Sequence, residues 1–323
     1  MIAGHDRAVD QFVAAWRRGA LHHAWLLAGQ KGVGKATFAR QAATRVLADA
    51  AGPPVETPGL STPEDHRIAR LVEAASHPDL RWLERQVNDK THNLARNISV
   101  DQVRALGDLF DLTPALSPWR VAVIDSIDDL EKSAANALLK MLEEPPANTI
   151  FFLVSHAPGR LLPTIRSRCR RLDFQSLDND AMKSVLAKAL PDVQEFERDR
   201  AIAAAGGSAG RAMSLAALDL VSLEEKALRI LRQGDPTNKH RSDLASELGK
   251  RAASDRYAAF LEIMPTMVAR ETRTLAGARR ERALDAYART RELVSVAPRF
   301  SLDPSATVFQ LGGILASVAD PLP

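Results

Sequence analysis

The spacing of apolar and polar residues changes rhythm several times in the first half of the chain and then keeps one rhythm to the end. Residues 9–20 carry a helical pattern that stops at Gly19. Residues 23–28 (HAWLLA) form a short apolar run followed by a glycine-rich turn. Residues 35–50 return to helical spacing, with Phe38, Ala42, Val46 and Leu47 on one face. Residues 51–64 (AGPPVETPGLSTPE) are rich in Pro, Gly and Ser/Thr and read as a loop. A short strand is expected at 79–83. Ser99 and Gln102 have the spacing of a capping box for a helix carrying Val103, Leu106 and Phe110. Residues 119–124 (WRVAVI) and 150–155 (IFFLVS) are nearly continuous apolar strands, as in a sheet covered on both faces. Between them, residues 130–142 repeat at helical spacing until Pro145 and Pro146 stop them.

Strands alternating with helices predict a parallel sheet with helices on both sides. From about residue 173 strand signals nearly vanish. Residues 178–216 read as a small helical unit containing Gly206, Gly207 and Gly210, and residues 222–319 as several further helices rich in Ala, Leu and Arg/Glu pairs. The expected class is α/β plus all-α.

Bulk properties narrow this picture only a little. A length of 323 residues suits two or three domains. A net charge of +3 allows contact with an acidic partner such as DNA without demanding it. The single cysteine, Cys169, excludes an intrachain disulfide and a multi-cysteine zinc site. The opening residues MIAGHDRAVDQF hold charges and no apolar core, so no secretory leader is expected, and no apolar run is long enough for a membrane span. A cytoplasmic protein fits these features.

The sharpest chemical signal is Gly29-Gln-Lys-Gly32-Val-Gly34-Lys35-Ala36. It matches G-x-x-x-x-G-K-[ST] except at its last position, with an apolar strand before it and a helix after it. Glycines let backbone N–H groups curl round phosphates, the helix N-terminus adds a favourable dipole, and Lys35 reaches the β/γ-phosphates. The Ser or Thr that would hand a hydroxyl to Mg²⁺ is replaced by Ala36. Thr37 is one residue on, rotated about 100° round the helix. The strand VAVI ends in Asp125, which either helps hold Mg²⁺ or caps the following turn. The residue after it, often a water-orienting Glu, is Ser126. Two hydrolytic positions are altered together, so the expected ligand is ATP or ADP held without efficient hydrolysis.

Several segments occur in a recognisable order: Gly4-His5, Leu21-His22-His23-Ala24-Trp25, the phosphate loop, Ser76-His77-Pro78-Asp79, the run from Ala134 to Pro146 with Asn136, Lys140, Glu143 and Glu144, and Leu162 to Cys169 with its Ser167-Arg168-Cys169. Together, over about residues 1–175, they resemble the delta-prime family of bacterial DNA polymerase III clamp-loader subunits, a branch of the AAA+ proteins. The resemblance implies a RecA-like P-loop domain (1–172), a helical lid (173–217) and a helical collar (218–323) that joins subunits into a ring. It implies gamma/tau and delta subunits as partners and, through the assembled complex, the beta sliding clamp and primer-template DNA. No membrane partner is implied. The setting would be the cytoplasmic replisome, inside the DNA polymerase III holoenzyme, a DNA-directed DNA polymerase.

The resemblance also implies a stator, the usual role of this subunit type, rather than a motor. The Ser-Arg-Cys motif implies that Arg168 serves as an arginine finger in trans on a neighbour's ATP; on spacing alone it could equally be one of a solvated cluster with Arg166, Arg170 and Arg171. Ser155, with His156 beside it, falls where the family reads the γ-phosphate, and Gly210 falls where a motor carries an arginine. Arg211, one residue on, is expected to be a solvent-facing helix charge. The nucleotide set is therefore Gly29, Gly32, Gly34, Lys35, Thr37, Asp125 and Ser155. The family often carries four cysteines between the phosphate-loop helix and His77; none stands there, so no zinc is expected. The competing readings are an autonomous or gamma/tau-type ATPase, which Ala36, Ser126 and Gly210 oppose, and a stand-alone DNA-binding module, which the low charge opposes.

Overall fold

The computed structural model describes residues 2–87 and 94–320. Two compact units divide the chain. The first comprises residues 1–185 with 206–210, and the second residues 186–205 with 211–323.

The first unit is built on a five-stranded parallel sheet: β1 (Ala24–Gly29), β2 (Leu80–Glu84), β3 (Arg120–Asp125), β4 (Thr149–Ser155) and β5 (Arg170–Phe174), in the order β2-β3-β4-β1-β5. Helices α1 (Asp6–Arg17), α2 (Lys35–Ala51), α3 (Arg67–Glu73), α4 (Val100–Asp111), α5 (Lys132–Glu143), α6 (Pro163–Arg166) and most of α7 (Asn179–Ala189) connect and follow the strands. Side chains of a strand alternate between faces, and this splits the continuous apolar runs into two cores. Trp25, Leu27, Val121, Val123, Phe152 and Val154 pack with α1, α2 and α3. Leu26, Ala122, Ile124, Phe151 and Leu153 pack with α4 and α5 on the other side. Central strand β4 is buried at every residue, which accounts for the unbroken apolar run from Ile150 to Val154. Phe12 of α1 is fully buried, with its ring 5.1 Å from Trp25 and 5.8 Å from Phe38, both edge-on.

Local signals in the sequence are realised. Gln102 N–H donates to Ser99 Oγ (3.3 Å) and Ser99 N–H to Gln102 Oε1 (3.0 Å), closing the capping box of α4. Helix α5 ends at Glu143, just before the Pro pair. In the Ser76-His77-Pro78-Asp79 segment, the buried Asp79 carboxylate accepts N–H groups from Ala115 (2.7 Å), Leu116 (2.8 Å) and Ser117 (3.4 Å), tying the loop before β3 to the start of β2.

One strand escapes the sequence reading. β5 runs through residue 172 to Phe174, beyond the point at which strand signals fade. It is an edge strand, and only Leu172 and Phe174 of its five residues are buried, so its apolar content is too thin to register.

The second unit is helical: α8 (Glu195–Ala205), most of α9 (Ala209–Ala217), α10 (Leu220–Gln233), α11 (Lys239–Leu248), α12 (Ser254–Thr272), α13 (Gly277–Val296) and α14 (Pro304–Ala316). Its polar interior corrects one expectation. Arg211 is not a solvent-facing charge. Its side chain is 16% exposed and lies 3.6 Å from Glu224, which also pairs with Arg270 at 2.7 Å. Glu224 is buried in α10, and a buried carboxylate needs cationic partners more than Arg211 needs water. Nearby Arg232 grips Glu271 with two bonds of 2.9 Å. No described helix is long and apolar enough to cross a membrane.

Candidate phosphate-binding site

The site forms at the C-terminal ends of β1, β3 and β4. Gly29 closes β1 in register with Phe174 of β5, and the chain then turns through Gly32 (φ 80°) and Gly34 (φ 109°), left-handed values that favour glycine, into the first turn of α2.

What fixes this loop is the treatment of its carbonyl oxygens, which are gripped one after another. Lys35 Nζ donates to Gly29 O and Gln30 O, both at 2.6 Å. Ser208 Oγ donates to Lys31 O (2.9 Å), and Gly210 N–H to Gly32 O (2.8 Å). His5 Nε2 lies 2.7 Å from Val33 O, which requires the proton on Nε2. Phe38 N–H takes Gly34 O as part of α2. Carbonyls held on one side of the loop turn their peptide N–H groups to the other, the arrangement of an anion-binding nest. Residues far apart in sequence, 5 and 208–210, thus shape a loop whose motif spans only 29–35.

Gly210 explains its own identity. A Cβ there would sit 3.0 Å from Gly32 Cα, so the backbone at 210 lies directly on the loop, and the motor-type arginine would have to displace it.

Electrostatics reflect burial. Lys35 is almost wholly buried, and burial brings its ammonium down to about 8 against the attraction of Asp125 and Asp128. Asp125, at the end of β3, has its carboxyl raised by burial and by Glu84, which stands beside it in register on β2; Lys35 opposes that rise. His156 is pushed down to about 4, first by burial and then by Lys35. Its imidazole is therefore neutral at neutral pH.

The residues expected at hydrolytic positions are arranged differently. Ala36 is half-buried beside the lysine, and Thr37 is exposed on the first turn of α2. The Ser126 hydroxyl donates to Asp129 (3.2 Å). Ser155 at the end of β4 donates its hydroxyl to Asp128 (3.0 Å), and the same carboxylate accepts His156 N–H (2.6 Å) and Ala157 N–H (3.2 Å). Asp128 is thus the staple that fixes the end of β4. Spacing alone does not reveal it, because its partners are 27 to 29 residues away. Among the described residues no group of three or more His, Cys, Asp or Glu side chains is gathered as a metal site.

Arg168 stands apart from this cluster of contacts, on the turn after α6. Its guanidinium is about one-third exposed, with Nη1 on Thr164 O (3.0 Å) and Nη2 on Glu143 Oε1 (2.8 Å). Neighbouring Cys169 donates its thiol to Ile165 O (3.1 Å) and packs on the apolar core, and burial pushes it up to about 12. It is a packed thiol and not an activated nucleophile.

The loop after α2, which holds no cysteine, is organised by Arg45. This buried guanidinium donates to Asp49 (2.9 Å) and to the carbonyls of Val55, Thr57 (2.8 Å), Gly59 (3.4 Å) and Ser61 (2.9 Å).

The family described as DNA polymerase III, delta subunit, matches residues 4–178, more than half of the chain. DNA polymerase III subunit delta' of Pseudomonas aeruginosa is 36% identical over 189 residues, covering 58% of this chain and 53% of the relative. The delta' subunit of Bacillus subtilis is 33% identical over 166 residues (51% and 46%). The gamma/tau subunit of Mycobacterium tuberculosis is 30% identical over 187 residues (58% and 30%). The chain spans about half the length of the delta' relatives it matches.

Proposed function

The chain belongs to the DNA polymerase III delta subunit family, and from that premise we propose that it is the delta-prime-type, non-motor subunit of a bacterial sliding-clamp loader. The observation that carries the reading is a phosphate loop whose shape is secured on every carbonyl while the neighbouring catalytic positions lack their groups. Ala36 has no hydroxyl for Mg²⁺, Ser126 is turned to Asp129, and Gly210 leaves no arginine over the loop. Such a site holds ATP or ADP through Gly29, Gly32, Gly34 and Lys35, with Asp125 and Ser155 at the ends of β3 and β4, and does not turn it over efficiently. Thr37, exposed, contributes least.

In this reading residues 1–172, 173–217 and 218–323 act as P-loop domain, lid and collar. The chain works in the cytoplasm at the replisome, with gamma/tau and delta subunits as partners and the beta clamp and primer-template DNA reached through the assembly. Arg168 supplies charge to the ATP of a neighbouring subunit; fingers of this kind contribute about 10³–10⁵ in rate.

Two measurements test it together. The purified chain should show negligible ATP turnover, whereas turnover near 1 s⁻¹, in the range ordinary for enzymes, would favour the autonomous or gamma/tau-type ATPase instead. Arg168→Ala should fold normally and lower the DNA-dependent ATPase of the ring reconstituted with gamma/tau and delta. An unchanged rate removes Arg168 from the site.

A further inference from the structure

Each terminal nitrogen of Arg168 has a donor engaged on its own chain. Nη1 donates to the carbonyl of Thr164 at 3.0 Å and Nη2 to Glu143 Oε1 at 2.8 Å. The base of the side chain is equally fixed. Arg168 N–H donates to Ile165 O, Ser167 N–H to Pro163 O, and the Cys169 thiol to Ile165 O, so the turn after α6 holds the Cα of Arg168 in place. Only the tip can move, and its movement is opposed by one acidic partner. Glu143 is the last residue of α5, and its side chain is about half exposed, so solvent reaches the pair. A phosphate recognised by a guanidinium is gripped through the same terminal N–H groups that Glu143 and Thr164 hold. The carboxylate and a phosphate therefore compete for one donor edge.

We infer that Glu143 is a brake on the finger: it keeps Arg168 folded onto its own chain and yields it when the phosphate of a neighbouring nucleotide outcompetes the carboxylate. This rests on the reading that Arg168 serves a neighbour's ATP. The magnitude is bounded by the exposure of the pair. A solvent-exposed ion pair is worth little, corresponding to about a 1.4- to 5-fold change in an equilibrium. A brake of that size retunes how readily the finger engages without preventing engagement. Glu144, the exposed carboxylate immediately after Glu143, is the control for charge alone, since the ion pair is made by Glu143.

The test is the DNA-stimulated ATPase of the ring reconstituted with its gamma/tau and delta partners, read as kcat/KM for ATP. Glu143→Gln should raise kcat/KM by about 1.4- to 5-fold at low salt, with the gain shrinking at high salt as the pair is screened. Glu143→Asp keeps the charge but withdraws it by one methylene, and should show the same gain. Glu144→Gln should leave the rate as it was. In an Arg168→Ala background, Glu143→Gln should change nothing further. An unchanged Arg168→Ala rate would overturn the finger and this inference with it. A slowed Arg168→Ala with an unaltered Glu143→Gln overturns the brake alone. So does a Glu143→Gln gain that persists without Arg168, because that gain would come from general charge repulsion.

Discussion

Arg45 offers the most direct test of how this chain holds the loop after α2 without cysteine ligands. The perturbation is Arg45→Ala. In the native chain the guanidinium is 7% exposed and pairs with Asp49, itself 14% exposed. It also collects the carbonyls of Val55, Thr57, Gly59 and Ser61. Its removal strands a nearly buried carboxylate and releases four carbonyls at once. Breaking a buried ion pair by deleting one partner costs about 3–5 kcal/mol. Asp49 retains the indole N–H of Trp16 (2.9 Å) and the N–H of Val55 (2.8 Å), and released carbonyls can turn to water. Those remaining partners put the expected loss at the lower end, about 3 kcal/mol. Urea denaturation measures the loss, and amide exchange locates it: protection should fall at residues 55–61 and persist in β3 and β4. Arg45→Lys should recover only part, since an ammonium is a point donor and cannot span four carbonyls and a carboxylate in one plane. Arg45→Met combined with Asp49→Asn should cost less than the single changes added together, because the stranded charge is gone. A loss below about 1 kcal/mol for Arg45→Ala, or unchanged exchange at 55–61, refutes the idea that this side chain organises the loop.

Two further outcomes follow from the phosphate loop. Gly210→Arg, which reinstates a motor-type residue, should force the 206–210 segment off Gly32, costing about 1–3 kcal/mol as overpacking does; equal thermal stability of variant and parent would count against the backbone contact. Lys35 has a lowered folded value of about 8, so between that pH and its unfolded value near 10.5 the unfolded chain binds more protons, and this group's penalty on the fold is relieved as pH rises through that window. A bound phosphate reverses the sign by favouring the ammonium. Titration calorimetry of ADP at pH 8.5 in buffers of different ionisation heat should therefore register proton uptake, and uptake of zero would show that Lys35 does not face the phosphate.

Much of the architecture was legible because it is written in short-range pattern. The capping box at Ser99 and Gln102 closes within four residues, the Pro pair stops α5 whatever surrounds it, and β4 is apolar from Ile150 to Val154 because it lies buried at the centre of the sheet. Glycine spacing likewise announces the turn between β1 and α2, since positive φ at Gly32 and Gly34 is a local demand.

Other features depended on which distant segments meet. β5 became a strand through pairing with β1, although only two of its residues are buried. Asp128 acquired its role from the end of β4, and His5 and Ser208 theirs from the loop carbonyls. Arg211 turned inward because a buried Glu224 lay within reach, against the preference of a helix charge for water. The sequence by itself determined four of the five strands and the helices between them, the glycine-rich turn after β1, and a side chain without a hydroxyl at Ala36. Only the tertiary structure decided which polar side chains hold that loop and which hold one another. Backbone pattern is selected residue by residue, whereas a hydrogen bond or ion pair is selected by desolvation, and desolvation exists only once the chain has folded.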